Sequence, residues 1–164
     1  MQKLLRRFAY ATPLEADDFL RDYIDSRFGR FFLYLLAYGN NAQDWDKAGH
    51  RLGFDGQELL ADYRPQWHHI FPKKFLEGKI NDDKIDALAN IAVIGPSINI
   101  RISAKSPMNY IERYEITTQK LAQQLVTDNI ETLSLTNFEK WLNQRAQRLA
   151  DAGNEFLNEL KGGL

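Results

Sequence analysis

The residues of this 164-residue chain whose types and spacing could do chemistry together lie between Trp67 and Ser103. Trp67-His68-His69-Ile70-Phe71-Pro72 sets two of the three histidines side by side. A polar run follows from Lys73, then Ala89-Asn90-Ile91-Ala92-Val93-Ile94-Gly95, then Pro96-Ser97-Ile98-Asn99-Ile100-Arg101-Ile102-Ser103. A neutral imidazole is the side chain best matched to general-base work near neutral pH, which suits His69. An imidazole and a carboxamide oxygen can hold a divalent cation, and His68 with Asn99 supplies that pair. Asn90 can bond across the loop and hold the backbone of the preceding strand. A base, a cation and a rigid scaffold are what hydrolysis of a phosphodiester needs.

The elements that must position these groups can be read from the same stretch. Trp67 to Phe71 is aromatic and β-branched and stops at Pro72, which predicts a short strand opening into a turn. On a regular strand His68 and His69 point to opposite faces and so take different jobs. Asn90 to Ile94 predicts a second strand, almost continuously apolar and closed by Gly95-Pro96. Ser97 to Ile102 predicts a short helical segment with Ser97 as its cap. The order is strand, loop, strand, helix, with the histidines on the first strand and Asn99 on the last element.

His-His-Ile-Phe-Pro, then Leu-Ala-Asn-Ile-Ala-Val-Ile, then an asparagine followed four residues later by serine resembles an HNH endonuclease of the ββα-metal (His-Me finger) superfamily. More narrowly, it is similar to the C-terminal nuclease domain of GmrSD-type modification-dependent restriction enzymes, which act in defence against phage. The resemblance covers Trp67 to Tyr114 sharply and the flanks weakly. It implies a metal-dependent DNA endonuclease in which His69 is the general base, His68 and Asn99 hold the metal, and Asn90 braces the loop. It also implies an N-terminal nucleotide-binding, ParB-like domain or subunit as partner, and a divalent ion, magnesium first, with manganese and zinc as alternatives. Many members carry aspartate where this chain has His68, and an imidazole there is a softer ligand.

Blander readings stand beside this one. Lys73, Lys74, Arg101 and Lys105 are either a solvated face or contacts to phosphate. His50 has no partner in sequence and belongs on the surface. Trp141 fits a core better than a base-stacking platform. The whole chain also admits an inactive DNA-binding or protein-interaction module with a relic or structural metal site, or a ribonuclease.

Composition bounds these readings without choosing among them. Hydrophobic residues make up 44% and charged residues 26%, the profile of one ordinary domain, so a single unit over 1–164 is expected. The absence of cysteine excludes disulfides, thiolate zinc sites and cysteine nucleophiles, and fits a cytoplasmic location. The longest apolar run, Phe31 to Tyr38, is eight residues, too short for a membrane span. Lys3, Arg6 and Arg7 precede no long apolar region, so no secretory signal is expected. Net charge is −1, but residues 64–113 hold eight Lys and Arg against five Asp and Glu, whereas both flanks are net acidic. The basic excess therefore falls on the part with the histidines.

The expected fold is α+β, a mainly helical domain enclosing a ββα-metal motif. Residues 1–62 are read as helical, 63–114 as the ββα core and 115–164 as closing helices. Thr12-Pro13-Leu14-Glu15 predicts a helix from Pro13 to about Ser26. A central core helix is expected from Gly29 to Tyr38, an exposed excursion from Gly39 to Asp55, and a helical turn from Gln57 to Asp62. Two short helices fit between Lys73 and Ala89, the second capped at Asn81-Asp82. Further helices are expected over Pro107 to Tyr114, with Met108, Ile111 and Tyr114 inward, over Thr117 to Val126, and from a Thr136 capping box to about Leu160.

Overall fold

A computed structural model describes residues 13–55, 58–59 and 64–162. The basic amino terminus, the Thr12 cap and the final residues of the chain lie outside that set, as does most of the turn expected over Gln57 to Asp62. Its described part is a two-residue strand, not a helix.

The fold is α+β. Its helices, in chain order, are α1 (Arg27–Gly39), α2 (Lys73–Leu76), α3 (Asp82–Ile85), α4 (Pro96–Ile102), α5 (Pro107–Arg113), α6 (Thr118–Ala122) and α7 (Phe138–Gly162). Four short strands, β1 (Phe54–Asp55), β2 (Glu58–Leu59), β3 (Gln66–His69) and β4 (Ile91–Ile94), form two antiparallel pairs, β1 with β2 and β3 with β4. Among the described residues no helix is long and apolar enough to cross a membrane.

The β3–β4 pair is the centre of the molecule. Gln66, Trp67, His68 and His69 stand opposite Ile94, Val93, Ala92 and Ile91. Every residue of β4 is buried, the reason its sequence runs apolar without alternation. Among the described residues no third strand covers the far edge of β4, and two side chains do that work instead. The Gln124 amide accepts from the Val93 N–H at 2.8 Å and donates to the Val93 carbonyl at 2.7 Å. The guanidinium of Arg145, buried on α7, donates to the carbonyls of Ala89 and Ile91 at 2.7 and 2.8 Å. A buried backbone group without a partner costs about 1–3 kcal/mol, so these side chains hold the strand's position.

Several expectations are corrected by tertiary pairing. Instead of a helix from Pro13 to Ser26 there is one 3-10 turn, Ala16–Phe19, closed by reciprocal bonds between Glu15 and Asp18. Beyond it the chain extends, because Tyr23 N–H donates to the Asp86 carbonyl and Leu88 N–H to the Arg21 carbonyl, both at 2.9 Å. Helix α1 forms where a core helix is expected but starts two residues earlier, at Arg27, with Ser26, expected as the end of the preceding helix, as its cap. Its apolar surround is only half used: Phe32, Leu33 and Ala37 are buried while Phe31 is 57% exposed. The excursion after α1 is not wholly exposed either, since Trp45 is completely buried. Asp44 Oδ1 accepts from the Gly95 N–H at 2.9 Å, and its carboxylate occupies the space a side chain at position 95 would need. Glycine is therefore required where β4 turns into α4.

Helix α4 has Gly95 at its N-cap position and Pro96 in its first turn, two residues earlier than the expected cap Ser97. On α5 the buried residues are Pro107, Tyr110 and Ile111, whereas Met108 is 45% exposed, so the inward face is rotated from the one expected. Helices α2 and α3 occupy the loop as expected, although Asn81 makes no side-chain cap. Helix α6 is shorter than Thr117 to Val126, with Thr117 as its cap. A 3-10 turn, Leu135–Asn137, precedes α7, which begins at Phe138, so Thr136 is not its cap. Trp141 lies in the core, against Phe71 at 4.9 Å between ring centres.

Candidate active site

Strand alternation sends the two imidazoles of β3 to different neighbours. His68, 3% exposed, stands edge-on to Trp45 and Tyr110, with ring centres 5.6 and 5.7 Å away. Its Nδ1 lies 2.9 Å from Oδ1 of Asn99, which α4 carries 31 residues downstream. With the carboxamide in this orientation Nδ1–H donates, and Nε2 is left buried without a partner among the described residues. Burial pushes the His68 imidazole down to about 4, against the Asn99 bond, which raises it, and with a further lowering from His69. The ring is neutral at neutral pH, the form a metal ligand needs.

His69 faces the loop. Its Nε2 lies 2.8 Å from Asp86 Oδ1, and the other oxygen of that carboxylate takes a 2.6 Å bond from Lys73 Nζ. Tyr23, drawn in by the pairing of its backbone with Asp86, sets its ring perpendicular to His69 at 5.3 Å. Burial lowers the His69 pKa; Asp86 and Asp22 raise it, and Lys73 lowers it further. Burial also pushes the Asp86 carboxyl up, but the bonds from Lys73 and His69 outweigh it and leave it below the usual carboxylate range. The His69 side chain stays 17% exposed, so water reaches it.

Asn90 sits in the 3-10 turn Leu88–Asn90, just before β4, and is fully buried. Its Oδ1 accepts from the Phe71 N–H at 2.9 Å, and its Nδ2 donates to the carbonyls of Phe71 and Ile85 at 3.1 and 2.9 Å. Three bonds from one carboxamide tie the end of β3 to the loop. The Tyr110 hydroxyl adds a 2.7 Å bond to the Ile70 carbonyl and, with its acidity suppressed by burial, stays a neutral donor. Two residues beyond His69 are thus pinned from both sides.

The structure brings His68 to Asn99 but sends His69 to Asp86. Adjacent ligands at about 2.1 Å from an octahedral cation stand about 3 Å apart, so the His68–Asn99 spacing fits two neighbouring positions of such a shell. A cation there would replace the shared proton, and the ring would carry its hydrogen on Nε2. Among the described residues no three histidine, aspartate or glutamate side chains converge on one point. Water and substrate oxygens would therefore complete the shell. Of the basic residues expected to meet substrate, Lys73 is paired with Asp86, and Lys105 turns back to the carbonyls of Arg101 and Ile102 at the end of α4. Lys74 and Arg101 are exposed, and so is His50.

Nothing in the sequence pattern marked Asp86, one of three aspartates in a polar run where a solvated acid is the default. Trp45 and Gln124 were equally silent, because their roles depend on contacts with segments distant in sequence. Tyr110 lay one position from the expected inward stripe of α5.

No protein-family model matches the chain, and no solved structure matches it. The chain is similar to an uncharacterized protein of Methanocaldococcus jannaschii, 43% identical over 90 residues. That match takes in 54% of this chain and 14% of the relative, so the chain spans a small part of the protein it resembles.

Proposed function

We propose that the chain is a metal-dependent endonuclease acting on DNA, with the strand, loop, strand and helix from Gln66 to Ile102 as a ββα-metal finger. The observation that carries the reading is the 2.9 Å apposition of His68 Nδ1 and Asn99 Oδ1, from residues far apart in sequence, beside a second imidazole that water can reach. His69 accepts a proton from water as the water oxygen forms a bond to phosphorus. The ester bond opposite breaks, and its oxygen leaves to take a proton from solvent. A divalent ion, magnesium first, with manganese and zinc as alternatives, would be held by His68 and Asn99 and would offset charge on the phosphate. Asn90 keeps the loop closed, while the exposed Lys74 and Arg101 face the phosphates and Lys73 stays on Asp86.

The resemblance to modification-dependent restriction enzymes extends the proposal to phage defence in the cytoplasm, with targeting by an N-terminal nucleotide-binding, ParB-like domain or subunit. A second reading is favoured by one observation, the near-complete burial of the His68 ring. On that reading the His68–Asn99 bond is purely structural, and the chain is a DNA-binding or protein-interaction module. Incubating the purified chain with supercoiled plasmid and with RNA, across magnesium, manganese and zinc with a chelator control, separates the readings. The proposal expects metal-dependent nicking of DNA. Chelator-insensitive binding without cleavage would establish the second reading, and cleavage confined to RNA would make the chain a ribonuclease.

A further inference from the structure

Resting on the nuclease reading, we infer that Asp86 is a positioning residue that fixes His69 with its hydrogen on Nε2, which makes Nδ1 the atom that takes the proton from water. The geometry supports this from both ends of the carboxylate. Oδ2 is held by the Lys73 ammonium at 2.6 Å, and a lysine has only hydrogens to offer. The doubly bonded carboxylate is an acceptor, so the His69 nitrogen 2.8 Å from Oδ1 must be the one that donates. The imidazole has two nitrogens, and fixing a hydrogen on Nε2 leaves the lone pair on Nδ1. No described residue hydrogen-bonds Nδ1.

The carboxylate is itself held in place. Asp86 N–H donates to the Asp82 carbonyl at 3.2 Å, ending α3, and the Asp86 carbonyl accepts from Tyr23 N–H at 2.9 Å. The side chain is only 14% exposed. The arrangement is carboxylate, imidazole and reacting water in a row, with the carboxylate orienting the base and taking no proton. An ordinary surface ion pair would leave the ring free to exchange between its two neutral forms. Here the acceptor-only carboxylate of Asp86, held in place by Lys73, chooses the tautomer.

Asp86→Asn makes the inference sharp, because it keeps the shape and changes the pattern of donors. The Lys73 ammonium draws the new amide oxygen, so the amide N–H group faces His69 Nε2. Nε2 must then accept, and the ring hydrogen moves to Nδ1. Lys73→Met in the same chain releases the oxygen and returns the hydrogen to Nε2. The measurement is long-range proton–nitrogen correlation on the full chain with 15N-labelled histidine, with His69 assigned by its loss in His69→Ala. The wild type is expected to show Nε2 protonated and Nδ1 bare, Asp86→Asn the reverse, and the double variant the wild-type pattern. Plasmid nicking should lose about 10- to 100-fold in kcat in Asp86→Asn with KM little changed, and the double variant should recover most of it. A hydrogen on Nδ1 in the wild type, or no tautomer change in Asp86→Asn, would overturn the inference. So would a tautomer change that leaves kcat intact. If the wild type nicks nothing, the nuclease reading fails, while the nitrogen spectra still decide what Asp86 does to His69.

Discussion

His68 is held edge-on between the rings of Trp45 and Tyr110, with its Nδ1 on the Asn99 carboxamide. Its type and its spacing to Asn99 marked it as a ligand, and the structure sets the two within hydrogen-bond reach. Its burial between two aromatic rings was not legible, because Trp45 arrives from a polar segment and Tyr110 from a face of α5 one position off the apolar stripe of its sequence. That burial has a consequence for stability. The folded pKa is about 4 against a reference of 6.5, so between those values the unfolded chain binds the proton more readily. The contribution is whole above the reference value, falls as pH drops through that window, and is gone below about 4. A shift of this size corresponds to roughly 3 kcal/mol. Urea unfolding of the wild type should show stability declining as pH falls across the window, and His68→Phe should flatten the decline. Parallel curves for the two proteins would mean that the ring is not held neutral.

At the level of elements, the strand pair and the short loop helices were legible because their signals are local: Pro72, Gly95-Pro96, and a β4 sequence apolar at every position. The first helix was not, because the segment after Phe19 donates to the Asp86 carbonyl and accepts from the Leu88 N–H, and no propensity of its own residues reports that. The far edge of β4 was also invisible, since a glutamine in the turn after α6 and an arginine on α7 stand where a strand would be expected. This yields a prediction particular to the element. Gln124→Ala leaves the Val93 N–H and carbonyl buried without partners, at a cost of about 2 kcal/mol or more. Native-state hydrogen exchange should quicken at the Val93 amide far more than at Tyr110 or Leu149. Uniform acceleration throughout the chain would show that Gln124 supports the fold in general and not this edge. The candidate base, brace and ligand all depend on the β3–β4 pair, so nicking should fall with the edge.

Across the whole molecule, the described residues share one hydrophobic core whose members run from Phe19 to Ala150. The α+β class was legible from the mix of short apolar strands and long amphipathic stretches. The basic excess in residues 64–113 was legible too, but its deployment was not. Lys73 and Lys105 are turned onto the protein, whereas Lys74 and Arg101 are exposed and, on the proposed reading, are the pair that meets the polyanion. Lys74→Glu with Arg101→Glu should raise KM for plasmid several-fold and weaken its dependence on salt while kcat stays near wild type. An unchanged KM would place the nucleic acid on another face. The central claim, that His69 is the base of a phosphodiester hydrolysis, is tested most directly by the rate of metal-dependent plasmid nicking in the wild type and in His69→Ala, each shown to be folded by its melting curve. The account predicts a loss of at least about 100-fold in a folded variant, whereas a His69→Ala protein that nicks at the wild-type rate would contradict it.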